Sequence, residues 1–122
     1  KVIWNKLVRL NAIASLTSAY QRTIGEVRTN ARLNKWLNEI VEEGALVASH
    51  EGIIIDPKEV INQINALPSS LKTSMQRDIM SKRPSEFESI TGGVMRLAES
   101  YGIPIPAHKH IYNLISKKIF NL

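Results

Sequence analysis

The stretch Val2-Ile3-Trp4-Asn5-Lys6-Leu7-Val8-Arg9-Leu10-Asn11-Ala12-Ile13-Ala14-Ser15-Leu16 decides the fold. Val2, Ile3, Trp4, Leu7, Val8, Leu10, Ile13 and Leu16 surround the helix it predicts on most sides, the pattern of a helix enclosed by others rather than one lying on a surface. Lys6 is the anomaly in it. Either its stem runs along apolar neighbours and carries the amine to water, or the amine faces a cleft. In a cleft, desolvation disfavours the charged form and moves the group toward proton donation near neutral pH.

Outward from this helix, assigned to about residues 2–20, the pattern stays helical. Gln21-Arg22-Thr23-Ile24-Gly25-Glu26 reads as a break with Gly25 as its turn residue. A long amphipathic helix follows from Thr29 or Asn30 to Ser49, with Leu33, Trp36, Leu37, Ile40, Val41, Leu46 and Val47 keeping the 3.6-residue period. Gly44 inside it costs roughly 1 kcal/mol against alanine and implies a close packing partner. Ile53-Ile54-Ile55 is too short for a sheet and reads as a buried connector. Asp56-Pro57-Lys58-Glu59 carries the signature of a helix start, and that helix stops before Pro68. Further helices are expected over about 69–80, 85–101 and 107–120, with Gly102-Ile103-Pro104-Ile105-Pro106 as a rigid connector. The expected fold class is all-α, a single domain of about six helices.

Composition narrows the function classes. The 122 residues suit one core. No cysteine is present, which removes disulfides, thiolate nucleophiles and Cys-ligated metals and agrees with a cytoplasmic setting. No apolar run approaches the roughly 18–20 residues of a membrane span, so no membrane partner is expected. Lacking an initiator methionine and opening inside a helical pattern, the chain reads as an excised domain or processed fragment. The net charge of +5 comes from sixteen Lys and Arg residues spread along the chain, without a nucleic-acid-binding signature. Nucleic acid is therefore not expected as a partner, and a site for small anions uses the same charge more economically. No glycine-rich phosphate loop occurs, so these residues hold no nucleotide in the Rossmann manner. His50, His108 and His110 lack ligand partners at metal spacing, and no metal site is expected.

A second polar cluster, Ser74-Met75-Gln76-Arg77-Asp78 running on to Ser85-Glu86, complements Lys6. By themselves, Glu86 suits a first-turn acid facing the helix dipole or a substrate contact, and Ser74 suits a surface serine or a carboxylate ligand. Trp4-Asn5-Lys6, the Ser74-Met75-x-x-Asp78 segment, Glu86 beyond it, Ile90-Thr91-Gly92 and Gly102-Ile103-Pro104-Ile105-Pro106 stand in an order and spacing that resemble the C-terminal helical domain of the ketopantoate reductase (2-dehydropantoate 2-reductase) family. The resemblance covers essentially the whole chain. It implies the substrate domain of a two-domain Rossmann-type dehydrogenase, of the 6-phosphogluconate-dehydrogenase C-terminal type, whose N-terminal Rossmann domain binds NADPH and is absent from this chain. A hydride would reduce a small 2-oxo acid, ketopantoate becoming pantoate on the route to pantothenate. Lys6 would be the proton donor, Glu86 its catalytic partner and Ser74 a ligand of the substrate carboxylate, and the fragment alone is expected to be inactive.

The chain departs from the family pattern on the face of Lys6. Asparagines are usual four and eight residues after the lysine, where this chain has Leu10 and Ala14. Asn11 lies about 140° around the helix from Lys6 and does not simply substitute, whereas Arg9, about 60° to the other side, can reach a carboxylate bidentately. Arg9 and Asn11 complete the candidate substrate-binding set. A related 2-oxo-acid reductase of other specificity fits as well, as does, from a different class, a non-catalytic helical module for dimerisation or nucleic-acid binding. A homodimer is expected, because the first helix stripped of a Rossmann partner would expose an apolar patch.

Overall fold

The computed structural model describes residues 2–70 and 87–120. These form six helices and no strand: α1 (Val2–Tyr20), α2 (Ile24–Thr29), α3 (Ala31–His50), α4 (Pro57–Asn65), α5 (Phe87–Ser100) and α6 (Pro106–Phe120). The helix expected over 69–80 falls almost wholly outside the described residues. The all-α expectation holds.

Helix α1 is the axis of the domain. It touches all five of the other helices, and every residue from Asn11 to Ala19 is buried, which answers to the apolar circumference of its sequence. Val8, Ile13 and Leu16 pack with Leu37, Ile40 and Val41 of α3, Val60 and Ile64 of α4 and Ile111 and Ile115 of α6. A second, smaller apolar cluster joins Val47 of α3 to Val94 and Ala98 of α5 and to Ile103 and Ile105, with Trp4 and Leu7 against it. Gly44 has the close partner its sequence position implied: a Cβ there would stand 3.3 Å from a γ-methyl of Val8.

The segment read as a break after α1 contains a helix. Thr23 and Glu26 form a reciprocal capping box that starts α2, and Asn30 then closes α2 and caps α3 by accepting from Arg32 and Leu33 N–H at 3.0 and 3.1 Å. Gly25 is therefore not a turn residue. Its N–H donates to Ser69 O at 2.9 Å, and a Cβ would lie 2.6 Å from that of Ser69, so the chain needs glycine for close approach. Arg28 fixes the same junction by donating to the carbonyls of Ile64, Asn65 and Leu67 and to Ser69 Oγ, over 2.8–3.1 Å.

Helices α3 and α5 end alike. Gly52 (φ 79°) and Gly102 (φ 68°) take the left-handed conformation. Ile53 and Ile103 N–H return to Ala48 and Ala98 O at 2.9 and 3.0 Å, the Schellman arrangement. The two ends are neighbours: Tyr101 donates its hydroxyl to the Glu51 carboxylate, and its ring lies 5.1 Å from that of His50.

Candidate active site

Lys6 lies on the N-terminal third of α1 with its side chain exposed. Ile3 and Leu10 share its stripe and are 81% and 39% exposed. The outward face of α1 over its first turns is thus an amine set between two aliphatic side chains. Arg9, half-buried to one side, donates from Nη1 to Gln63 Oε1 of α4 at 3.2 Å.

Asn11 points the other way. It is 1% exposed, and its amide joins a continuous buried network. Its Nδ2 lies 2.9 Å from His108 Nε2, and its Oδ1 accepts from Thr91 Oγ1 at 2.8 Å and Ser15 Oγ at 3.2 Å. His108, fully buried on α6, has Nδ1 2.6 Å from Glu43 Oε1. The Glu43 carboxylate also caps α6, accepting from Ala107 and His108 N–H at 2.8 and 2.9 Å. With a carboxylate as its acceptor, His108 Nδ1 carries hydrogen, which leaves Nε2 to accept from the Asn11 amide. Four helices (α1, α3, α5 and α6) meet in this chain of bonds. Asn11, expected at the substrate, is occupied in the core instead.

Glu86 and Ser74 lie outside the described residues. Glu86 immediately precedes α5, and Thr91 of the Ile90-Thr91-Gly92 segment is the residue through which α5 bonds to Asn11 on α1. The helix of Lys6 and the helix that follows Glu86 are therefore directly joined in the core. Glu43 and His108 went unrecognised as partners in the sequence. Nothing local marks a glutamate beside Gly44 as the cap of a helix that starts more than sixty residues on. His110 stacks on Trp36 at a ring separation of 4.3 Å, and His50 packs at a tilt against Tyr101.

An open depression of about 410 Å³ at the α2–α3 junction is lined by Arg22, Glu26, Thr29, Asn30 and Leu33. Arg22 and Glu26 pair across it at 3.8 Å, and it does not include Lys6, so it offers no combined anion and proton-donor chemistry. Among the described residues no group of three or more His, Asp or Glu could hold a metal ion, and no helix is long and apolar enough to cross a membrane. Among the described residues no glycine-rich turn opens a helix in the way a nucleotide pyrophosphate site exploits, and Gly92 and Gly93 lie within α5. Gly52 and Gly102 close helices, and Gly25 and Gly44 admit close neighbours.

Residues 1–119 match the family model described as Ketopantoate reductase PanE/ApbA C terminal. The chain belongs to this family. It is 29% identical over 118 residues to the 2-dehydropantoate 2-reductase of Yersinia pestis, covering 94% of this chain and 38% of that protein. Against the 2-dehydropantoate 2-reductase of Archaeoglobus fulgidus the identity is 26% over 113 residues, or 93% and 38% of the two chains. The chain thus spans about two fifths of the length of the curated relatives it matches. Among solved structures, a dimeric ketopantoate reductase from Staphylococcus aureus superposes with a TM-score of 0.88 at 25% identity, over 99% of this chain and 43% of that one. A D-mandelate dehydrogenase in complex with NADH and anilino(oxo)acetate gives 0.89 at 25% identity, over 98% and 52%. The fold is that of the C-terminal domain of ketopantoate reductase-like proteins.

Proposed function

We propose that this chain is the substrate domain of a cytoplasmic, nicotinamide-dependent 2-oxo-acid reductase of the 2-dehydropantoate 2-reductase type, with Lys6 as the proton donor. The observation that carries the reading is an exposed lysine on the outward face of the central helix, in a chain that a ketopantoate reductase family model matches over residues 1–119. An N-terminal Rossmann domain would close over that face and hold NADPH. The nicotinamide, when bound there, supplies the hydride. This chain's part is to orient the acid and to protonate its keto oxygen. As the carbonyl carbon is reduced, the oxygen gains an electron pair, and an N–H of Lys6 Nζ aimed at it stabilises the charge and delivers the proton. Glu86 and Ser74 are assigned the substrate hydroxyl and carboxylate, and Arg9 supplies positive charge beside the site. Asn11 acts from inside, tying the helix of Lys6 to α5. Pairing of two copies is part of the proposal, supported by the dimeric Staphylococcus aureus relative.

Turnover of the full-length protein with NADPH and a panel of 2-oxo acids tests this. Lys6→Ala is expected to lower kcat about 10²–10⁴-fold, the usual contribution of a positioned acid. Unchanged turnover removes Lys6 from the mechanism. A second reading, a reductase of another 2-oxo acid, is favoured by the likeness to D-mandelate dehydrogenase and by Leu10 beside Lys6. The same panel separates the two. Strong salt-dependent DNA binding without turnover would instead support a non-catalytic module.

A further inference from the structure

A continuous polar network crosses the core beside the helix that carries Lys6, and its members orient one another in sequence. The Glu43 carboxylate accepts from Ala107 and His108 N–H at the start of α6 and stands 2.6 Å from His108 Nδ1, so the imidazole hydrogen sits on Nδ1. His108 Nε2 is then an acceptor, and the Asn11 amide must turn its nitrogen toward it, at 2.9 Å. That leaves Asn11 Oδ1 for the hydroxyls of Thr91 on α5 and Ser15 on α1, at 2.8 and 3.2 Å. Asn11, Ser15, Thr91 and His108 are each at most 1% exposed, so a displaced group finds no bulk water to replace a lost partner.

Lys6 lies five residues before Asn11, about 7.5 Å along the axis of α1. Between them Val8 packs against Gly44, where a Cβ would stand 3.3 Å from a γ-methyl. Gly44 follows Glu43 directly, so one turn of α3 sets how near α1 comes and, through Glu43 and His108, which way Asn11 must face. The bond of Arg9 to Gln63 of α4 is only part-buried and exchanges readily for water, so it constrains α1 far less. The direction of Lys6 is held from the opposite side of its own helix.

We propose that Asn11, His108 and Glu43 are positioning residues for the reaction at Lys6, acting through the orientation of α1 rather than on the substrate. The proposal rests on the reading of Lys6 as proton donor. Steady-state turnover of the full-length protein tests it, with NADPH and whichever of 2-dehydropantoate, pyruvate and phenylglyoxylate is reduced fastest, at a temperature where circular dichroism shows each variant folded. Asn11→Leu keeps the approximate shape and removes the amide. It is expected to lower kcat about 10–10²-fold, the cost of misplacing a reacting group by about 1 Å, and to leave the KM for NADPH within about twofold. In a Lys6→Ala background the same change is expected to alter kcat by less than about twofold, because the group it orients is already gone. Thr91→Val should lower kcat by a smaller factor and Thr91→Ser, which keeps the hydroxyl, should restore it; this pair carries the comparison if Asn11→Leu does not fold. Native kcat in Asn11→Leu, or an equal loss with and without Lys6, overturns the proposal and leaves the network a structural one. Turnover of none of the three acids, or unchanged turnover in Lys6→Ala alone, overturns the reading of Lys6 beneath it, which is a distinguishable result.

Discussion

Replacing Asn11 by alanine removes the centre of the buried network, and the structure sets the size of the effect. His108 Nε2, 2.9 Å from the lost amide and fully buried, is left an acceptor with no donor, which costs about 1–3 kcal/mol. Thr91 and Ser15 lose the oxygen they shared at 2.8 and 3.2 Å but retain each other at 3.3 Å, so their loss is nearer 0.5–1 kcal/mol. The void left by the amide adds about 1 kcal/mol. The sum is about 2.5–5 kcal/mol. With a urea slope of about 1.5 kcal/mol/M, it lowers the midpoint by about 2–3 M. Thr91→Val is the contrast. It removes one hydroxyl at constant shape and leaves Asn11 Oδ1 bonded to Ser15, so about 1 kcal/mol is expected. Urea unfolding followed by helical circular dichroism measures both. An Asn11→Ala loss below about 1 kcal/mol, or no larger than that of Thr91→Val, would show that the network does not hold the core.

The two close-packed glycines are expected to part company. Gly25→Ala drives a Cβ to 2.6 Å from the Ser69 Cβ and 2.9 Å from its carbonyl oxygen. It should destabilise by about 1–3 kcal/mol despite gaining about 1 kcal/mol of helix propensity. Gly44→Ala meets the side chain of Val8, its γ-methyls from 3.3 Å, and should change stability by less than about 1 kcal/mol. Melting temperatures of the pair decide it, and a Gly25→Ala protein as stable as the native one would refute the close-approach argument. The Tyr101 phenol is raised from its ordinary value of 10.0, first by its hydrogen bond to Glu51, then by desolvation and by the carboxylate charge. A raised folded-state pKa means that this contribution to stability is present below about pH 10 and is lost as pH rises through the folded value. Phenolate absorbance should show a tyrosine titrating above the ordinary value, and Glu51→Gln should bring it down; an unmoved titration would discount the bond.

Much of the helical frame was legible because periodicity and caps are local signals. The apolar circumference of α1, the regular stripe of α3 and the Asp56-Pro57 start each lie within a few residues of what they determine, and the structure returns helices at those places. The short α2 was missed although Thr23 and Glu26 stand at capping-box spacing. Gly25 between them drew the reading toward a turn, and its real reason, Ser69 against its backbone, is a tertiary fact. The site divides the same way. Lys6 was identifiable as a charge out of place in an apolar helix. The engagement of Asn11 was not, since it depends on Thr91 and His108 brought in from two other helices.

That engagement bears directly on Lys6. A helix apolar around most of its circumference gains almost as much burial in one rotation as in another, so the hydrophobic effect, being non-directional, leaves its rotation weakly defined. Hydrogen bonds are directional, and an unmade buried one costs about 1–3 kcal/mol. Rotating α1 by one residue, about 100°, would carry Asn11 away from Thr91 and His108 and turn Lys6 toward the core. Both penalties fall together, on opposite sides of one helix. The polar network inside α1 therefore fixes its rotation, and with it the direction in which Lys6 and Leu10 face. A substitution at Asn11, His108 or Glu43 should thus disturb the proposed site at Lys6 from inside the core.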